Sequence, residues 1–260
     1  LYITSDGLVR AFNVRFDYNS ASNEVSIFSL SYLANYYTNQ ISNSAITSAN
    51  TSLSESILYN NQKALLYNMV VIKDSTTNLY GVASLANPTN TIIGTRYTSI
   101  EFMEGSNDFI VRTSDSKMGI IGSDGITKVR LEYDDIKELD KNLGLYLVTS
   151  NNRQGVVNNN GKIIVYQDYD QIGLPNTIND TNVTNKYILM ENCIPVQRNG
   201  KWGLIDINGN EILPVEYDGF GCDADTSVDS RYTDVLIIPE LNGIVVERDE
   251  VNGNTRNKKY

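Results

Sequence analysis

The side chains best placed by number and type to do chemistry are carboxylates. Tyr133-Asp134, Tyr169-Asp170 and Tyr217-Asp218 repeat one dipeptide, and Asp134, Asp135 and Glu138 form a local acidic cluster. Two carboxylates at the right separation could serve as glycosidase acid and base. No pair here stands apart from the repetitive background. Asp223, Asp225, Ser227 and Asp234 fall at the first, third, fifth and twelfth positions of a calcium loop, with Asp229 between them. Val228 stands where such a loop needs Gly, and Glu is missing at the twelfth position, so a solvated acidic loop is the simpler reading. The sequence has no His. That removes the usual general base of Ser and Cys triads and the commonest zinc ligand. Cys193 and Cys222 are too few for a disulfide scaffold or an all-cysteine zinc site, and the simpler reading leaves them unpaired. Gly119-Ile120-Ile121-Gly122 reads as strand, not as a phosphate loop. The sequence thus predicts no enzyme, no metal and no cofactor.

The net charge is −10, with Lys and Arg totalling 21. Such a chain repels phosphate backbones and anionic membrane surfaces, so nucleic acid is excluded as a partner. No apolar run is long enough to span a bilayer. At 260 residues and 41% hydrophobic, the chain can bury a core.

The recurring residues need elements to hold them. Four segments align: Tyr80-Gly81-Val82-Ala83, Met118-Gly119-Ile120-Ile121, Gln154-Gly155-Val156-Val157 and Trp202-Gly203-Leu204-Ile205. In the last three, a second Gly follows (Gly125, Gly161, Gly209), and then Tyr133, Tyr169 and Tyr217; the first copy has a longer loop and Tyr97. Ile93, Val129, Val165 and Leu213 precede the Tyr, and Thr98, Asp134, Asp170 and Asp218 follow it. An apolar run leads each copy, at 70–73, 109–112, 145–148 and 194–197. Each copy reads as strand, tight turn, strand, Gly-containing turn, strand and Tyr-Asp corner. Asn199-Gly200 and Asn208-Gly209 carry the preferred pair of a two-residue hairpin turn, and Asp124-Gly125 its Asp version. A residue type held at one slot through successive copies is more economically structural than catalytic. Asp134, Asp170 and Asp218 are expected to accept turn N–H groups, and Tyr133, Tyr169, Tyr217 and Trp202 to pack between copies.

The stretch Gly200-Lys201-Trp202-Gly203-Leu204-Ile205-Asp206, continuing through Gly209, Ile212-Leu213-Pro214 and Tyr217-Asp218, resembles the WG (KWG) repeat family of mainly bacterial proteins. The resemblance covers roughly 69–260, and only one copy keeps the Trp. It implies a β-repeat binding or surface module and names no ligand; the family has no common enzymatic activity. The expected fold is mainly β: tandem three-stranded antiparallel WG-type repeats forming a partial propeller or an open β superhelix. Four copies and a cut fifth would fill 69–260, behind a small N-terminal α+β segment at 1–68.

That first segment is composed differently. Between Gly7 and Gly81 there is neither Gly nor Pro. Residues 8–16 alternate roughly and predict a strand after a turn at Asp6-Gly7. Leu30, Leu33, Tyr37 and Ile41 predict a helix, and residues 39–51 a loop. Ser52-Leu53-Ser54-Glu55 fits a capping box that would open a second helix over about 53–66.

The leading expectation is non-catalytic protein binding or scaffolding, through loops that depart from the repeat, at 173–186 and 221–234. A second is glycan binding at a bacterial cell surface through Tyr32, Tyr36, Tyr37 and Tyr166. A third is a carboxylate glycosidase using the N-terminal segment. The chain opens on Leu1, and its fifth copy stops before the expected Gly, so it reads as a piece of a longer protein. That reading and the acidic, Tyr- and Asn-rich composition lean towards the bacterial cell envelope.

Overall fold

The computed structural model describes residues 5–42, 51–52, 62–74, 76–85, 91–174, 183–221, 236–252 and 255–259. The chain divides into two compact units, Leu1–Tyr133 and Asp134–Tyr260. The compositional break near residue 68 lies inside the first.

The N-terminal unit opens with α1 (Ser5–Phe12), β1 (Val14–Asn19), β2 (Glu24–Ser29) and α2 (Leu30–Ser42). The strand expected at 8–16 therefore begins only at Val14, because Val9 enters the core from a helical turn. Asn13, at φ 51°, ends that helix by donating its N–H to the Val9 carbonyl. The loop expected from 39 starts later, since α2 runs on to Ser42. Of the expected second helix, 53–61 and most of its capping box lie outside the described residues. Residues Gln62–Tyr67 form a 3-10 helix.

Next come β3 (Thr51–Ser52), β4 (Met69–Asp74), β5 (Tyr80–Ser84) and β6 (Thr91–Tyr97), hydrogen-bonded in that order as one antiparallel sheet. A second sheet holds β7 (Ser99–Met103), β8 (Asp108–Arg112), β9 (Met118–Ile121) and β10 (Thr127–Tyr133). Strand residues alternate between faces, so Val70 and Ile72 of β4 meet Val9, Leu33 and Leu65, while Met69 and Val71 meet Phe109 and Val111 of β8. Burial on both faces explains the unbroken apolar run Met69-Val70-Val71-Ile72. Each such side chain contributes about 1.5–3 kcal/mol.

The C-terminal unit repeats the scheme. One sheet is β11 (Asp135–Asp140), β12 (Leu145–Ser150), β13 (Arg153–Asn158) and β14 (Ile163–Tyr169). The next is β15 (Gln171–Ile172), β16 (Cys193–Arg198), β17 (Lys201–Asp206) and β18 (Glu211–Tyr217). Then follow β19 (Gly219–Phe220), β20 (Ile237–Ile238), β21 (Gly243–Ile244), β22 (Val246–Asn252) and β23 (Thr255–Lys259). Among the described residues, β19, β22 and β23 make a three-stranded sheet, and β20 pairs with β21. Every four-stranded sheet takes three strands from one copy. Its outermost strand comes from the segment before: β3, β7, β11 and β15 all pair with the leading strand that follows them.

The turns differ in kind. Asn199-Gly200, with φ 52° and 76°, and Asn151-Asn152, with φ 52° and 61°, have both central residues left-handed, as a two-residue hairpin turn requires. Asn208-Gly209 and Asp124-Gly125 do not form such turns. Only the Gly is left-handed, at φ 95° and 80°, and its N–H reaches back three residues to Asp206 or Gly122. These are longer turns closed by a Gly bulge.

Candidate functional site

Gly81, Gly119, Gly155 and Gly203 sit in strand, not in turns. A Cβ on them would stand 2.5, 2.7, 2.6 and 2.7 Å from the carbonyl oxygens of Ile93, Val129, Val165 and Leu213. The cause is common to all four sheets. Between the pairs Tyr80–Tyr97, Met118–Tyr133, Gln154–Tyr169 and Trp202–Tyr217 and the next paired residues, the last strand carries extra residues and bulges onto the Gly.

The Tyr-Asp corners face the next hairpin. Asn151 N–H donates to Asp134 Oδ2 (2.8 Å), Asn199 N–H to Asp170 Oδ2 (2.7 Å) and Asp249 N–H to Asp218 Oδ2 (2.9 Å). Asp170 also pairs with Arg153, and Asp218 with Lys201 at 2.5 Å. Tyr133 is buried, while the rings of Tyr169 and Tyr217 lie under the guanidinium groups of Arg198 (5.6 Å) and Arg248 (5.0 Å). Trp202 meets Phe220 edge-on at 5.5 Å. In the same slot Gln154 accepts the Ile172 N–H at 2.7 Å. Asp134, Asp170 and Asp218 are thus spent on the next hairpin, and Asp170 and Asp218 also on a cation of their own copy. Asp206 is spent on its own turn: Asn210 N–H and side-chain amide and Asn208 N–H all donate to it, which holds its pKa at about 2.

The other candidates are scattered. Asp135 pairs with Lys137 at 3.0 Å, and Glu138 faces water. Tyr32 and Tyr36 are exposed and stacked at 6.0 Å in the N-terminal unit; Tyr166, 67% exposed, belongs to the C-terminal unit. The side chain of Tyr37, the calcium-like segment at 223–234 and Cys222 lie outside the described residues. Cys193 is buried; burial first, then the Asp206 and Glu191 carboxylates, push its thiol pKa up, which disfavours reactivity. Among the described residues, no group of His, Cys, Asp or Glu could hold a metal ion, and no helix is long and apolar enough to cross a membrane.

Concavity arises where the repeat is interrupted. The insertion between β15 and β16 ends in a 3-10 turn, Met190–Asn192, with Glu191 and Asn192 left-handed at φ 56° and 55°. On one side of Met190, a cleft of about 490 Å³ has Leu143, Ile188 and Leu189 among its walls and Asn142, Asn185 and Asn192 among its polar groups. Asp140 also lines it. Its Oδ1 accepts the Asn142 and Leu143 N–H groups at 2.9 Å each, and its Oδ2 accepts the Asn185 amide at 3.1 Å. On the other side of Met190 is a pocket of about 250 Å³ walled by Cys193, Leu204 and Ile212, with Glu191 at its edge holding the Asn242 amide at 3.1 Å. Cys193 stands there in the slot that Leu145, a larger side chain, fills in the preceding sheet. The sequence pointed to the 173–186 insertion as a departure from the repeat, but not to its partners Asp140, Asn142 and Leu143, which come from the β11–β12 turn.

Residues 202–222 match the family model described as the WG containing repeat. Among curated proteins, none matches the sequence. Among solved structures, the WD40 beta propeller domain of Doa1 is similar at 15% identity, over 56% of this chain and 50% of that one, with a TM-score of 0.27. The match thus spans half of that chain, and so low a score decides nothing about how the sheets are arranged. What these matches establish is a WG containing repeat at residues 202–222.

Proposed function

We propose that the chain is a non-catalytic binding module in which WG-type copies fill residues 69–260, and that it holds a protein partner in the cleft beside Met190. The observation that carries this reading is where the cleft lies. The recurring Asp, Tyr and Trp side chains are turned to neighbouring copies, while the larger cleft is built from residues outside the repeat slots. Apolar walls with a few convergent polar groups are the usual make-up of a binding site. The lining includes one carboxylate, Asp140, already engaged by three donors, rather than a free acid–base pair.

A photo-crosslinking side chain placed at Leu143 tests this against one at Ile163, since the two residues are 37% and 38% exposed and Ile163 lies on a repeat strand. In cytosolic, membrane and cell-wall extracts, Leu143 is expected to yield one enriched protein adduct that Ile163 does not. Equal adducts from both positions would sink the reading. Glycan binding is the second reading, and would use the exposed rings of Tyr32, Tyr36 and Tyr166. It replaces protein binding if wall polysaccharide alone retains the chain and Tyr166→Ala weakens that retention.

A further inference from the structure

We infer that the partner segment received by the larger cleft is an extended apolar peptide flanked by lysine or arginine, an inference that rests on the protein-binding reading above. A volume of about 490 Å³ is that of a site for a few side chains. Asn142 and Asn192 each present a donor and an acceptor, the same pair that an extended peptide backbone leaves unmet, while Asn185 is held between Asp140 and the Tyr187 N–H. Leu143, Ile188 and Met190 supply apolar surface for its side chains. Among the described residues, the charged side chains lining the two depressions are Asp140 and Glu191, both acidic, in a chain of net charge −10. Lys141 and Lys186 adjoin the cleft in sequence without lining it, and the Lys186 ammonium sits 5.0 Å over the Tyr187 ring. Among the described residues of these walls, a phosphate or carboxylate ligand would find no cation and a sugar no aromatic face. Asp140 is oriented by two N–H groups and one amide, so its charge is fixed at the edge of the cleft without being neutralised.

The test is fluorescence anisotropy on the whole chain with two acetylated heptapeptides. Both have a central Leu-Leu; one is flanked by lysines and the other by glutamates. The lysine-flanked peptide is expected to bind roughly three- to five-fold tighter at low salt, as one or two partly exposed charge pairs allow. The preference is expected to vanish in the Asp140→Asn/Glu191→Gln variant and in about 0.5 M salt. Asn at 140 still offers an oxygen to the Asn142 and Leu143 N–H groups, so the turn is kept. Equal binding of the two peptides, a glutamate preference, a lysine preference that survives the double substitution, or no binding of either would overturn the inference. If Leu143 still crosslinks a protein in any of those cases, the binding reading stands and only the peptide class is wrong. If Leu143 gives no protein adduct and neither peptide binds, the binding reading itself fails.

Discussion

At the scale of single residues, the repeat makes each slot a comparison. The slot that opens the leading strand holds Met69, Leu145 and Cys193 in three sheets, and the last-strand slot beside it holds Ile92, Ile164 and Ile212. In the second sheet the same two slots hold Asp108 and Lys128. The Asp108 side chain is 1% exposed, and both its oxygens meet Lys128 Nζ at 2.9 Å. An ion pair there has replaced an apolar pair, and burying charge gains stability only while the pair is intact. Lys128→Ala strands a buried carboxylate and is expected to cost about 3 kcal/mol. The double change Asp108→Leu/Lys128→Ile restores the chemistry of Leu145 and Ile164. It is expected to lie within about 1 kcal/mol of the parent, or above it. Urea unfolding of both variants measures this; a double variant as unstable as Lys128→Ala would show that the slots are not equivalent.

At the scale of the element, the hairpin with its bulged last strand is the repeating unit, and its Gly is fixed by approach distance. At Gly203 a Cβ would meet Leu213 O at 2.7 Å, Val215 Cγ2 at 2.9 Å and Pro214 C at 3.0 Å. Two of those three atoms are backbone, so the strand itself must move. Gly203→Val is expected to cost at least about 2 kcal/mol and to lower Tm by roughly 6 °C. Gly219, two strands further on, has nothing nearer than 3.7 Å to such a Cβ, and Gly219→Ala should melt within about 1 °C of the parent. Equal melting of the two variants would refute the bulge account. The handing forward of one short strand ties successive copies more tightly than face-to-face packing alone, because it adds backbone hydrogen bonds to the leading strand of the next copy.

At the scale of the whole molecule, two compact units follow from where the sheets close. Each sheet of Asp134–Tyr260 draws all its described strands from within that range. A fragment 134–260 is therefore expected to fold alone, to melt in one cooperative transition and to keep the cleft at Met190. Amide spectra of the fragment compared with those of the whole chain check this. A broad, non-cooperative melt would mean that the unit depends on 1–133. In the N-terminal unit, α1, α2 and the 3-10 helix at Gln62–Tyr67, with Phe16 of β1 and Phe28 of β2, cover the face of the β3–β6 sheet opposite the one that meets β8. This explains why the repeat signal stops near residue 69 although the fold does not.

The mainly β architecture, the leading, middle and last strands of four copies, and the places where insertions interrupt them were legible in the amino-acid sequence. Those features rest on local periodicity and turn chemistry, which any stretch of a dozen residues displays. The helix at α1 was illegible, because the spacing at 8–16 suits either a strand or a helix and only packing of Val9 chooses between them. The fourth strand of each sheet also needed the tertiary structure, since strands of two to six residues carry no period of their own. So did the bulge, which turns a Gly in mid-strand into a requirement of distance. The clefts beside Met190 were decided last of all, because their walls come from segments about fifty residues apart in the chain, such as Leu143 and Leu189. Separation in sequence hides such contacts until the backbone has closed around them.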